Sequence, residues 1–175
     1  MIKYKPENIL MAREKRVEYQ RFLLDKYRVP LIVVRANYPG IDKNNELAHN
    51  IVHSMQEVVI SAFKNNIICN ILTYTAEGAV LFLAVEGDAV DIKKACIEIE
   101  EKNIIGRCTD FDVYRFNGES ISRTELGYEP RKCYLCGDMA QNCVRSQKHS
   151  EKELINFIRK KYREYVENVY GKQTV

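Results

Sequence analysis

The chain has 175 residues, 46% of them hydrophobic, with a formal charge of +3 and six cysteines. That length suits one domain, residues 1–175, with a sizeable core, and so small a charge makes no case for nucleic acid by itself. The sequence has no secretory leader pattern and no long apolar run, so a membrane span is not expected. Six cysteines in such a chain read as reduced thiols or metal ligands of a cytoplasmic protein rather than as a disulfide framework.

Residues 6–28 mix charges with Ile9, Leu10, Val17, Leu24 and Tyr27, which predicts an amphipathic N-terminal helix. Leu31-Ile32-Val33-Val34 reads as a buried strand, and Pro39-Gly40 as a turn. A helix is expected from Asp42 or Asn44, with Leu47, Ile51, Met55, Val58 and Ala62 on one face. Residues 67–74 and 79–85 are strand-like and meet in a turn containing Gly78. Asp88 can cap a helix with the apolar face Ile92, Ala95, Cys96 and Ile99, and residues 109–116 form a further strand. Asn117-Gly118 signals a hairpin leading into an added strand at 119–123. Ser150 with Glu153 makes a capping box for a C-terminal helix over 151–170, which Gly171 stops. The order from 31 to 116 is β-α-β-β-α-β, an α+β arrangement of ferredoxin-like type. Around it lie the N-terminal helix, the added hairpin strand, a Cys-rich loop at 124–149 and the C-terminal helix.

Chemistry concentrates at Gly106-Arg107-Cys108-Thr109-Asp110-Phe111-Asp112-Val113. On a strand, Asp110 and Asp112 share one face, about 7 Å apart. Two such carboxylates suit Mg2+, a hard cation that keeps positions open for phosphate oxygens, and Arg107 is near enough to meet phosphate as a fork. The plain alternative is an acidic pair on a solvated face. Arg115, Arg123, Arg131, Lys132, Arg145 and Lys148 surround the strand, while Arg13, Arg16, Gln20 and Lys43 offer further polar groups from the N-terminal side. Arg115 alternates with the acidic pair and should face away from it. Cys133, Cys136, Cys143 and His149 are the ligand types of a tetrahedral zinc site, against the alternative of buried thiols packing a loop. His49 and His53 share a helix side, but without the glutamate of H-E-x-x-H they read as rim histidines. No G-x-S-x-G, P-loop or G-x-G-x-x-G pattern occurs.

Taken together, these residues resemble the citrate lyase holo-acyl-carrier-protein synthase family, the phosphoribosyl-dephospho-CoA transferases. The resemblance rests on G-R-x-x-D-x-D-V at 106–113, the Ser122-Arg123 step, and the run from Arg131 through Cys133, Leu135, Cys136, Ala140, Cys143 and Arg145 to His149. It extends to Arg13-Glu14, Arg16 and Gln20, and to Pro39-Gly40 with Lys43; Thr75-Ala76-Glu77-Gly78 departs from the Gly-Pro-Glu turn of the family. The resemblance implies transfer of a prosthetic group from triphosphoribosyl-dephospho-CoA to a serine of the acyl carrier (gamma) subunit of citrate lyase, with release of diphosphate. It also implies Asp110 and Asp112 on Mg2+, Arg107, Arg123 and Arg131 on the triphosphate, and Lys43, Arg13 and Arg16 as further phosphate contacts. The Cys-rich segment is then structural, with or without zinc. Asp112 is a candidate acceptor for the serine proton, which its position does not separate from a ligand role. Two rivals stand beside this reading. One is a related transferase serving a malonate-decarboxylase carrier. The other is a zinc-stabilised module binding single-stranded nucleic acid, with Tyr114 and Phe116 as stacking platforms. Neither nucleic acid nor membrane is the expected partner.

Overall fold

The computed structural model describes residues 4–171, and in it the apolar periodicities become a four-stranded sheet with helices on both faces. The elements are α1 (Pro6–Tyr27), β1 (Leu31–Ala36), α2 (Glu46–Phe63), β2 (Ile67–Thr75), β3 (Gly78–Val85), α3 (Ala89–Lys102), β4 (Thr109–Tyr114), α4 (Ala140–Arg145) and α5 (Glu151–Tyr170). A single 3-10 turn, Gly106–Cys108, leads into β4. The sheet order is β2-β3-β1-β4 and every neighbouring pair is antiparallel.

Period-two alternation decides which helix covers which face. Ile32, Val34, Leu81, Leu83, Phe111 and Val113 point to one side and pack with Ile51 and Met55 of α2, Cys96 of α3, and Ile158 and Tyr165 of α5. Leu31, Val33, Val80, Phe82 and Ala84 point to the other side, against Leu23 and Leu24 of α1. β3 is buried at all of its positions because both faces are covered, and its sequence accordingly reads as an unbroken small-and-apolar run. Fully burying each large side chain of this set contributes about 1.5–3 kcal/mol.

Local signals fix the helix ends. Asp88 accepts from the N–H groups of Val90 and Asp91, and Ser150 and Glu153 form the reciprocal box. The cap of α2 is Asn45 rather than Asp42 or Asn44: its Oδ1 accepts from Ala48 N at 3.0 Å while its Nδ2 binds the Asp42 carbonyl. On α1, Leu10 and Val17 lie on the exposed side, and the buried stripe is Ile9, Ala12, Gln20, Leu23 and Leu24. The expected strand at 119–123 reduces to one bridge, Tyr114 with Ser120. After Ile121 donates to the Val113 carbonyl, Ser122 Oγ accepts from Glu125 N and bends the chain away, so no ladder continues. The Cys-rich loop also contains the short helix α4, which lacks enough sequence to show helical periodicity.

Two glycines set the spacing around β4 and the β2–β3 turn. A Cβ at Gly106 would lie 2.2 Å from the Glu100 carbonyl oxygen, so only glycine lets the 3-10 turn close onto α3. Gly78 has φ +89°, and a Cβ there would meet the Lys43 carbonyl oxygen at 2.4 Å. No helix among the described residues is long and apolar enough to cross a membrane.

Candidate active site

β1 and β4 pair so that Arg35 lies opposite Asp110 and Val33 opposite Asp112, which puts Arg35 and both carboxylates on the α1 side of the sheet. The acidic pair therefore does share a face, as the alternation predicts. Each carboxylate meets an arginine. Arg35 Nη2 donates to Asp112 Oδ2 at 2.7 Å, and Arg131, reaching in from the Cys-rich segment, donates to Asp110 Oδ1. Burial disfavours the charge on Arg35, but Asp112, Asp110 and Glu77 outweigh it and hold the guanidinium firmly protonated.

The array continues in both directions. Arg131 also pairs with Glu100 of α3, whose side chain is only 3% exposed, and Arg123 stands 3.7 Å from the same carboxylate and 3.0 Å from Glu101. Burial pushes the Glu100 carboxyl up, while Arg131 and Arg123 pull it back. At the other end, Glu77 in the β2–β3 turn accepts from Arg13 Nε at 3.3 Å and Arg16 Nε at 2.9 Å, with Arg35 Nη1 3.9 Å away. Arg16 Nη1 in turn donates to Gln20 at 2.7 Å. Lys43 donates to the Tyr38 carbonyl at 2.5 Å; burial lowers its pKa, and the nearby Arg13 and Arg35 lower it further. Lys93, buried on α3, donates at 2.7 Å to the carbonyl of Phe111, the residue between the two aspartates, and burial lowers its pKa as well. That bond helps to fix β4, an edge strand among the described residues.

A cleft of about 580 Å³ opens beside this array, between the Pro39-Gly40 turn, the Cys-rich segment and the start of α5. Arg107 and Arg131 both line it, and Arg107 also donates to the Lys132 carbonyl. Its Tyr134 wall is anchored on Phe157 of α5, the rings stacked at 4.4 Å and 11°, and burial pushes the Tyr134 phenol up to about 12.

Cys133, Cys136, Cys143 and His149 bring their ligand atoms within 4.8 Å of one another. Tetrahedral ligands about 2.0–2.3 Å from one ion lie within that mutual distance, so the donor set fits zinc. Cys136 is exposed, which a loop packed on buried thiols does not require. Its thiol is drawn down to about 6, first by the Asp138 backbone N–H and then by His149, whereas desolvation pushes Cys143 up to about 12.

The structure thus gathers Asp110, Asp112, Arg131, Arg13, Arg16 and Lys43 into one charged array, with Arg107 in the adjoining cleft. Arg123 sits beyond Glu100 and is engaged by two carboxylates. Arg35, Glu77, Glu100 and Lys93 escaped the sequence reading. Glu100 follows Cys96 at helical spacing on a buried face, and Arg35 interrupts the alternate positions Leu31 and Val33, so both left a trace. Glu77 entered only as part of the Thr75-Ala76-Glu77-Gly78 turn, with no role attached. His49 binds Asn44 and His53 binds Tyr74, and neither joins a metal-ligand group among the described residues. Tyr114 packs into the cluster beneath α1, so the sheet face that would stack nucleic-acid bases is covered, and Phe116 lies beyond the end of β4.

A family model described as apo-citrate lyase phosphoribosyl-dephospho-CoA transferase matches residues 5–165. A protein of that name from Citrobacter koseri is 29% identical over 150 residues, covering 84% of this chain and 82% of its own length. Proteins of the same name from Shigella boydii serotype 18 and Escherichia coli O157:H7 are each 31% identical over 151 residues, covering 85% of this chain and 82% of their own lengths.

Proposed function

The chain belongs to the apo-citrate lyase phosphoribosyl-dephospho-CoA transferase family, and from that premise we propose that it is a holo-acyl-carrier-protein synthase. As a single transferase domain it moves the prosthetic group of 2'-(5''-triphosphoribosyl)-3'-dephospho-CoA onto a serine of the apo acyl carrier (gamma) subunit of citrate lyase. The serine Oγ forms a bond to the α-phosphorus, the bond from that phosphorus to the bridging oxygen breaks, diphosphate leaves, and the serine proton is lost. A malonate-decarboxylase-type carrier and a nucleic-acid target are not favoured by the relatives' names. The observation that carries the proposal is the pairing of both aspartates with arginines beside a cleft, in a chain matched across residues 5–165.

Phosphoryl chemistry asks the protein mainly for position and charge. Arg107, which lines the cleft, presents its guanidinium to the triphosphate, and Arg131 beside it, held by Asp110 and Glu100, adds positive charge there; Lys43, Arg13 and Arg16 extend this set from the α1 side. Arg123 supports it through Glu100, which in turn braces Arg131. Asp110 and Asp112 would hold Mg2+, which when bound neutralises charge on the phosphate oxygens. The donor set fits that ion: two partly exposed carboxylates on one face, each with one oxygen hydrogen-bonded to an arginine, which orients the other. Cys133, Cys136, Cys143 and His149 would hold a structural zinc that fixes the segment carrying Arg131. The sheet order and connections support a ferredoxin-like core, and the free thiols suit a reducing, cytoplasmic compartment. The test is mass spectrometry of the apo carrier subunit after incubation with this protein, the precursor and Mg2+. A mass gain equal to the precursor minus diphosphate is expected, and an unmodified carrier would overturn the proposal.

A further inference from the structure

Glu77 is a carboxylate of the array that three arginines approach. Its side chain is 3% exposed, and it accepts from Arg13 and Arg16 of α1, with Arg35 of β1 a little farther off. The turn that carries it is fixed on two sides. Thr75 Oγ1 accepts from Glu77 N at 3.2 Å, and Gly78 is pressed against the Lys43 carbonyl, which ties the loop bearing Lys43 to the same turn. Three arginines thus approach one carboxylate, and Arg35 is shared with Asp112.

The geometry of the contacts is the informative part. Glu77 meets both α1 arginines through Nε, the inner nitrogen of the guanidinium. Arg16 Nη1 is held by Gln20, and among the described residues neither Nη of Arg13 donates a hydrogen bond. Arg13 is 52% exposed despite its buried partner. A carboxylate that served only to neutralise these arginines would gain most from a two-nitrogen fork with one of them. Binding two by their inner edges instead orients both and leaves outer edges for another anion.

We infer that Glu77 is a positioning residue that orients Arg13 and Arg16, beside Arg35 and Lys43, into a second anion cradle, on the α1 side of the aspartate pair, for one end of a polyphosphate chain. Arg131 and Arg107 serve the other end from the Cys-rich side. The identity of the polyphosphate rests on the transfer reaction proposed above; the cradle itself does not.

Inorganic tripolyphosphate tests the cradle without precursor or carrier. Calorimetric titration of the whole protein, at low ionic strength and without chelator, compares wild type with Glu77→Asp. The aspartate keeps the charge but is shorter by about 1.5 Å, so it cannot hold both Nε atoms. Tripolyphosphate affinity should fall about tenfold or more, the loss expected when charged hydrogen bonds are misaligned, and orthophosphate, too small to span the cradle, should change less. A lower melting temperature with unchanged tripolyphosphate affinity would reduce Glu77 to a structural tie, and a wild type that does not bind tripolyphosphate would remove the cradle. Should Glu77→Asp fail to fold, Arg13→Gln changes an exposed side chain, and undiminished tripolyphosphate affinity there overturns the inference equally. Carrier modification by the wild type, assayed separately, shows whether the transfer reading stands whichever way the titration falls.

Discussion

Removing Arg131 separates the structural and chemical parts of the charged array. In Arg131→Ala the buried Glu100 carboxylate loses its shortest cationic contact, and Asp110 loses its partner. Breaking a fully buried pair costs about 3–5 kcal/mol, but Arg123 stays 3.7 Å from Glu100, and Arg131 is itself 25% exposed. Asp110 is 32% exposed and adds little, because water screens it. The expected net loss is therefore about 2 kcal/mol, which for a chain of this size lowers the melting temperature by roughly 4–8 °C. A second change tests the cause. Glu100→Gln removes the charge that needed compensation, so Arg131→Ala with Glu100→Gln should recover most of the stability lost by Arg131→Ala alone. Transfer to the carrier should stay low in the double variant, since the positive charge that Arg131 brings to the cleft is gone. Thermal and urea denaturation of the four proteins closes the cycle. An unchanged melting temperature in Arg131→Ala, or a double variant no more stable than it, would refute the placing of Glu100 as the buried charge that Arg131 stabilises.

Asp110→Asn and Asp112→Asn should each abolish carrier modification at limiting Mg2+ while circular dichroism still reports a folded protein; full activity in either would remove the metal assignment. The purified protein should carry about one equivalent of zinc by elemental analysis, and chelation should raise hydrogen exchange in residues 124–149 before the sheet. In the metal-free protein, iodoacetamide should alkylate Cys136 with a midpoint near pH about 6, since its thiolate persists above that value; zinc should protect it. The lowered pKa makes Cys136 stabilise the metal-free fold fully above its unfolded value, and that contribution is lost as pH falls through about 6. Gly78→Ala should cost at least about 1–2 kcal/mol, from the left-handed φ, before its contact with the Lys43 carbonyl is counted, and should weaken transfer by moving Lys43 and Glu77. Chemical denaturation and steady-state kinetics of this variant check both parts.

The sequence by itself determined what depends on nearby residues: the order of elements from α1 to β4, the caps at Asp88 and Ser150, and the shared face of Asp110 and Asp112. Chain order also sufficed to group Cys133, Cys136, Cys143 and His149, because short loops bring near neighbours together. Only the tertiary structure decided which charges meet. Arg35 finds Asp112 across the β1–β4 pairing, 77 positions along the chain, and Glu77 meets Arg13 and Arg16 at separations of 64 and 61. No local periodicity encodes such pairings. They follow from strand register and from α1 lying over one sheet face, both set by burial of the whole apolar pattern at once. The same holds for Gly78 and Gly106: the sequence marks the first as a turn residue and the second as the head of the acidic motif, but the carbonyls of Lys43 and Glu100 that exclude any side chain arrive from other parts of the fold.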